Sequence, residues 1–173
     1  MKIALAQLNF TVGAVNANAD KIIAAIESAK KQGADLVVFA EFAVSGTPAY
    51  GLLTKTTFLT LCEEAVLRIA DSCRGIAAIV GTPYLTAEGP ISAAAFIDAN
   101  GEVEFIGKRH VTARREMGFL TSGTGIETLF IAGEKVALVV GDDFRRLKNF
   151  PRTAQIIINI NARRYGKGVL SRR

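Results

Sequence analysis

Cysteine, histidine and tryptophan are scarce in this sequence, and their scarcity excludes several kinds of site. The 173 residues include two cysteines, one histidine and no tryptophan. Cys62 and Cys73 are too few for the disulfide framework of a small secreted domain. A single histidine, His110, excludes a histidine-based zinc site, and the two cysteines lack ligand spacing. We predict that both cysteines share one face of a helix and pack in a core.

Long apolar runs are also missing, although half of the residues are hydrophobic. Charged residues interrupt every stretch before it reaches membrane-spanning length. Residues 2–8 look like a strand and lack the layout of a signal peptide. A chain of this length suits one domain with its own core. We therefore expect a single domain over residues 1–173, located in the cytoplasm and not in a membrane.

Acidic residues are absent after Asp143, although the net charge of the whole chain is only +5. A basic tail can bind phosphate or nucleic acid. It can equally be a solvated surface or a face for an acidic partner. Nucleic acid is not expected, because aromatic residues do not interleave with the charges as in a single-strand groove. The basic residues are Arg145, Arg146, Lys148, Arg152, Arg163, Arg164, Lys167, Arg172 and Arg173.

The hydrophobic pattern predicts alternating strands and helices, followed by hairpins. Asn100-Gly101 is a strong hairpin signal, and Gly133 marks a second hairpin. No glycine-rich fingerprint follows the first strand, so a dinucleotide cofactor is not expected. This order predicts an α/β domain built in layers around a mixed sheet. The predicted strands are 2–8, 36–39, 76–80, 93–97, 102–106, 128–131, 135–140 and 156–160; the helices begin at Asn16 or Asn18 and end at Gly33, and cover 58–72 and 145–148.

Three predicted strand ends carry the residues of most chemical interest. Glu41 follows a buried strand, Lys108 follows a hairpin strand, and a third strand runs into Gly141-Asp142-Asp143. A glutamate, a lysine and a nucleophile brought to one place would form a covalent amide-hydrolysing site. Taken alone, Glu41 fits a salt-bridged structural carboxylate as well as a general base. A lysine in such a position is usually solvated.

A set of short motifs runs along most of the chain, at residues 2–9, 12–13, 18, 33–41, 45–48, 81–83, 101–103, 108–110, 116–123, 159–162 and 165–167. Together these motifs resemble the nitrilase, or carbon–nitrogen hydrolase, superfamily. Within it, the chain is most similar to the glutamine-hydrolysing domain of glutamine-dependent NAD synthetase. The resemblance implies a layered α-β-β-α sandwich of the nitrilase type, shortened at its C-terminus, with no cofactor and no metal.

The resemblance also implies a role for each site residue. Glu41 would be the general base, Lys108 would stabilise the oxyanion, and Glu116 would position the substrate amide. A cysteine at position 141 would attack the amide carbon and release ammonia. Glycine stands there instead, and glycine can neither attack nor carry a thioester.

Glycine at position 141 favours a degenerate binding or assembly module. Asp142, Arg163 and Arg164 would then bind the ligand, and two guanidinium groups favour a carboxylate or phosphate over a neutral amide. The arginines can equally lie on an exposed loop and bind nothing. The alternative function is a divergent amidohydrolase that releases ammonia from glutamine or another carboxamide in NAD biosynthesis. Attack by Asp142 or Asp143 would require a high-energy anhydride.

The same resemblance also leads to expectations about the oligomeric state and the binding partners. A shortened domain would leave open sheet edges and apolar faces, which proteins rarely leave bare. We therefore expect a homodimer that binds a small-molecule amide or carboxylate, with an NAD synthetase as a possible partner.

Overall fold

A computed structural model describes residues 1–111, 116–146, 151 and 153–162 of the chain. Two predicted ligand-binding residues, Arg163 and Arg164, lie outside these ranges, as does most of the basic C-terminal segment. Arg145 and Arg146 are described and exposed. None of the described helices is long and apolar enough to cross a bilayer.

Five strands form the first sheet, in the order β1-β2-β3-β4-β5. The first three are parallel neighbours and the last three are antiparallel, so the sheet is mixed as predicted. Parallel strands buried on both faces explain the continuous apolar runs of β2 and β3. The strands are β1 (Ile3–Leu5), β2 (Leu36–Val38), β3 (Ala77–Thr86), β4 (Gly89–Ile97) and β5 (Val103–Gly107).

The predicted strands 76–80 and 93–97 are too short. In the structure β3 and β4 extend towards each other and form a hairpin that the hydrophobic pattern did not indicate. The apolar run stops at Val80, and the rest of the hairpin is stabilised by cross-strand pairs such as Tyr84 with Ile91. Strands that are held by such pairs need not contain an apolar run, so the sequence pattern did not reveal their full length.

Three strands form the second sheet, in the order β6-β7-β8. β6 (Glu127–Ile131) and β7 (Glu134–Val140) are antiparallel, which confirms the hairpin predicted around Gly133. β8 (Ile156–Ile160) pairs parallel with β7. A short helix, α3 (Asp143–Arg146), begins earlier than predicted, directly after the turn that ends β7.

Two longer helices, α1 (Val15–Lys31) and α2 (Thr56–Ala70), pack on the first sheet. The predicted N-caps of α1 are wrong, because Asn16 and Asn18 lie inside the helix. The buried Asn18 amide instead donates to the carbonyl oxygen of Val44, 2.9 Å away. This hydrogen bond joins the helix to the chain beyond β2.

The two cysteines do not share a helix. Cys62 lies in α2, which ends at Ala70, and Cys73 lies in the following 3-10 turn. Both are fully buried in the core between the helices and the first sheet, as the core-packing prediction requires. The α-helix ends at Ala70, two residues before its predicted end, and the chain continues as the 3-10 turn Asp71–Cys73.

A second core lies between the two sheets. Leu36, Ile79 and Ile106 of the first sheet pack in one apolar cluster with Leu138 and Ile160 of the second. Each of these side chains contributes about 1.5–3 kcal/mol through burial. The described residues thus stack as helices, first sheet and second sheet, and this packing brings the ends of β2, β5 and β7 together.

Candidate functional site

Glu41 lies three residues beyond β2, in a backbone segment that is held close to β3. A Cβ added to Gly81 would lie 2.5 Å from the Glu41 Cα and 2.2 Å from the Ala40 carbonyl oxygen. Only glycine allows this approach without displacing the backbone. Glu41 is 6% exposed, so its position is set by the packing of the segment after β2 against the middle of β3.

Two hydrogen bonds orient the Glu41 carboxylate. The Ser92 hydroxyl donates to Oε1 at 2.7 Å, and the Ala162 backbone N–H donates to Oε2 at 3.1 Å. Ser92 belongs to β4, so three separate segments of the chain meet at this carboxylate. Burial raises the pKa of Glu41, and the charge of Lys108 and the Ser92 hydrogen bond offset only part of that rise.

Lys108 follows β5 directly and is 2% exposed. Its Nζ lies 2.9 Å from Oε2 of Glu116 and 3.6 Å from Oε1 of Glu41. Burial alone would lower the pKa of the Lys108 ammonium, but the two carboxylates outweigh burial and raise it. Lys108 is therefore a charged group held between two acids, and not a neutral amine nucleophile.

Glu116 is brought to Lys108 by the segment that follows it. The Gly123 N–H donates to the Lys108 carbonyl oxygen at 2.7 Å, and a Cβ on Gly123 would lie 2.5 Å from the Gly107 Cα. Two glycines at this contact let the backbones touch. Phe119, in the same segment, stacks on Tyr50 with ring centroids 5.6 Å apart.

Gly141 ends β7 and faces the acid–amine pair. Its φ is +61°, and a Cβ placed on it would lie 2.8 Å from Lys108 Nζ and 3.1 Å from Glu41 Oε1. Its N–H donates to the Ile160 carbonyl oxygen at 2.7 Å. Any side chain at position 141 would therefore point between Glu41 and Lys108, where the flexible lysine tip now lies.

The two aspartates after Gly141 have different surroundings. Asp142 is partly exposed and lines the pocket. Asp143 is buried, and its carboxylate accepts hydrogen bonds from the backbone N–H groups of Arg109 and His110, at 2.6 and 2.8 Å. The His110 Nδ1 lies 2.9 Å from the same carboxylate. Asp143 thus joins the turn at position 141 to the segment after Lys108.

These groups surround a small cavity of about 90 Å³. On the same scale about 10–15 Å³ is enough to hold one water molecule, so the cavity has room for the head group of a small polar ligand. Thr47 and Pro48 are exposed and lie at its edge. The lining residues are Glu41, Phe42, Thr47, Pro48, Tyr50, Lys108, Glu116, Gly141, Asp142 and Ala162.

The structure brings Glu41, Lys108, Glu116, Gly141 and Asp142 to one cavity. The predicted residues at positions 163 and 164 lie outside the described residues. Sequence reasoning missed the serine of β4 that orients the buried glutamate. A polar residue inside the apolar run of residues 91–97 was the signal available. Within the described ranges, no group of three or more His, Cys, Asp and Glu residues could hold a metal ion.

Comparison of the sequence with known proteins gives consistent matches. The family profile described as "Carbon-nitrogen hydrolase" matches residues 2–166. A glutamine-dependent NAD(+) synthetase from Xylella fastidiosa is 45% identical over 105 residues, covering 60% of this chain and 19% of the relative. One from Aquifex aeolicus is 31% identical over 176 residues, covering 95% of this chain and 30% of the relative. The chain thus spans less than a third of the length of these curated relatives.

Solved structures give the same result for the fold. The glutamine-dependent NAD+ synthetase from Acinetobacter baumannii matches with a TM-score of 0.86 and 23% identity, over 99% of this chain and 34% of that chain. An amidase from Nesterenkonia sp. matches with a TM-score of 0.83 and 24% identity, over 98% of this chain and 68% of that chain. These matches confirm the predicted nitrilase-type fold and the resemblance seen in the sequence.

Proposed function

Because the chain belongs to the carbon–nitrogen hydrolase family, we propose that it uses the family's pocket to bind a small molecule without hydrolysing it. The observation that carries the proposal is the glycine at position 141. Its missing side chain would point at Glu41 and Lys108, 3.1 and 2.8 Å from its Cβ. A thiol pathway needs a nucleophile at this point, and glycine supplies none.

A relative supports this assignment. In one mutant of the Nesterenkonia amidase acrylamide has added to the active-site cysteine, and another mutant of that enzyme holds butyramide. We place the counterpart of that cysteine at Gly141, where a strand runs through a sharp turn into a short helix. The carboxamide group of such ligands is compact enough to enter the cavity of this chain.

The remaining groups can bind a ligand without reacting with it. The Lys108 ammonium can donate to a carbonyl oxygen, and the Glu116 carboxylate can accept from an amide N–H. Glu41 would be the base for a thiol at position 141, and glycine gives it none to deprotonate. The ligand would leave the pocket unchanged, which makes this a binding or assembly module. A homodimer, a cytoplasmic location and an NAD synthetase partner stay predictions of the sequence.

Ammonia release tests the proposal. The wild-type protein should release no more ammonia from glutamine, acetamide or butyramide than its Glu41→Gln variant. Gly141→Cys should gain a slow release that Glu41→Gln abolishes. The positive φ costs an L-residue about 1–2 kcal/mol, so the gain is read only on protein shown by circular dichroism to be folded. Release by the wild-type protein that is lost in Glu41→Gln would overturn the proposal.

The divergent amidohydrolase stays the second candidate, because the buried Glu41–Lys108–Glu116 arrangement is the part of a hydrolytic site that the chain retains. In that case Asp142 is the pocket-lining residue nearest in sequence to position 141 and the first alternative nucleophile to test. Ammonia release that Asp142→Asn abolishes would favour this candidate over the binding module.

A further inference from the structure

The described pocket lining carries more acidic than basic side chains. Three carboxylates, those of Glu41, Glu116 and Asp142, lie around the single ammonium of Lys108. If Glu41 carries a proton, two carboxylates still oppose one ammonium. The described lining therefore has a net negative charge, and buried or partly buried charges are weakly screened by salt.

Two of the hydrogen-bond donors in the described lining are engaged by the protein itself. The Lys108 ammonium is held by Glu116 at 2.9 Å, and the Ala162 N–H donates to Glu41 at 3.1 Å. A carboxylate offers about four acceptor sites and no donor when ionised. The pocket is thus rich in acceptors, and a ligand that donates hydrogen bonds matches it better than one that only accepts them.

The size of the cavity and the side chains that line it restrict the class of ligand further. The cavity of about 90 Å³ is small and suits a compact polar head group. Two aromatic side chains, Phe42 and Tyr50, are part of the wall. Aromatic rings attract cations over their faces, and a flat cation can form two parallel hydrogen bonds with one carboxylate.

We propose that this pocket selects a planar, donor-rich cationic head group of the amidinium or guanidinium class over a carboxylate. The inference rests on the proposed function as a binding site that does not hydrolyse its ligand. It is opposite to the sequence-based expectation that Arg163 and Arg164 favour a carboxylate or phosphate. One ligand series therefore decides between them.

Three ligands of nearly equal size and shape provide the test: acetamidinium, acetamide and acetate. Two-dimensional NMR titration at neutral pH and constant ionic strength measures the weak affinities expected of such small molecules. Acetamidinium should bind about tenfold more tightly than acetamide, since its hydrogen bonds to carboxylates are charge-assisted. Acetate should bind most weakly. Acetate binding as tightly as acetamidinium, or equal affinities for all three, would overturn the inference.

Two pocket variants test which carboxylates cause the preference for acetamidinium. Glu116→Gln should reduce the preference for acetamidinium over acetamide to near unity, and Asp142→Asn provides a second variant if the first does not fold. Glu64→Gln, at an exposed glutamate of α2, is the matched control and should keep the full preference. A preference unchanged in both pocket variants would contradict the inference.

Ammonia measured in the acetamide samples separates this inference from the proposed function. Ammonia release overturns the proposed function but leaves the ligand preference as measured. A preference for acetate with no ammonia release overturns only the inference. Failure of all three ligands to shift any resonance would also overturn it.

Discussion

The Lys108 ammonium should stabilise the pocket by its contact with two buried carboxylates, and Lys108→Met tests this. Nζ lies 2.9 Å from Glu116 and 3.6 Å from Glu41, and the lysine is 2% exposed. Methionine keeps much of the apolar stem and removes the charge. Loss of one partner from a buried ion pair costs about 3–5 kcal/mol. We expect a loss of about 3 kcal/mol in unfolding free energy above neutral pH, since the pocket admits some water.

The loss should become smaller in acid. Burial raises the pKa of Glu41 and Lys108 offsets part of that rise, so Lys108→Met raises the pKa further. A carboxyl group whose folded pKa is raised destabilises the fold only when it ionises. The penalty is absent below the unfolded pKa, grows as the pH rises towards the folded pKa, and is complete above it. The variant and the wild type therefore differ most at neutral and alkaline pH.

Urea denaturation followed by circular dichroism at about pH 4 and about pH 9 compares the loss at the acidic end with the loss at the alkaline end. Lys135→Met is the matched control, because Lys135 is exposed on β7. Its effect should stay within about 0.5 kcal/mol. Equal losses at the two pH values, or a loss in Lys108→Met no larger than in the control, would refute the reasoning.

Three further predictions concern the groups around the pocket. Asp143→Asn changes a buried carboxylate that accepts hydrogen bonds from two backbone N–H groups, so ligand binding should weaken about tenfold in NMR titration, with a loss of about 1.5–3 kcal/mol in stability. Gly81→Ala should cost about 1–3 kcal/mol in urea denaturation through backbone overlap, whereas Gly51→Ala, which has open space around it, should not. Burial raises the pKa of Cys62 and Cys73 to about 12, so iodoacetamide should leave both unmodified in the folded protein, as read by intact mass.

Each of these three experiments has an outcome that would contradict the structure. Unchanged ligand affinity in Asp143→Asn would mean that the contact with the segment after Lys108 does not position the pocket. Equal stability of the two glycine variants would rule out the close approach of β3 to the Glu41 backbone. Rapid modification of a native cysteine would place that thiol outside the core.

The sequence predicted best those elements whose local pattern decides their structure. The β6–β7 hairpin was found because Gly133 separates two apolar runs, and Gly133 takes a φ of +84°. The extension of β3 past Val80 was missed because cross-strand pairing, which is not local, decides it. The N-terminus of α1 was also missed, since Asn18 forms tertiary hydrogen bonds in place of a cap.

In the candidate site, too, some residues could be predicted from the sequence and others could not. Glu41 and Lys108 could be singled out because each is a charged residue at the end of an apolar strand. Their separation of 3.6 Å follows from packing of the strand ends, which spacing along the chain does not encode. The role of Ser92 depends on its side of β4 and on the register with β3 and β5, so only the assembled sheet reveals it.

The central claim is that position 141 opens into the pocket between Glu41 and Lys108, and alkylation of a cysteine placed there tests it most directly. Gly141→Cys should take up one iodoacetamide adduct, mapped to position 141 by peptide mass spectrometry. The reaction should slow when Glu41→Gln is added, because the glutamate is the base nearest to the new thiol. The wild-type protein should take up no adduct on the same timescale. A new thiol that reacts no faster than the native ones, or at a rate indifferent to Glu41→Gln, would contradict the account.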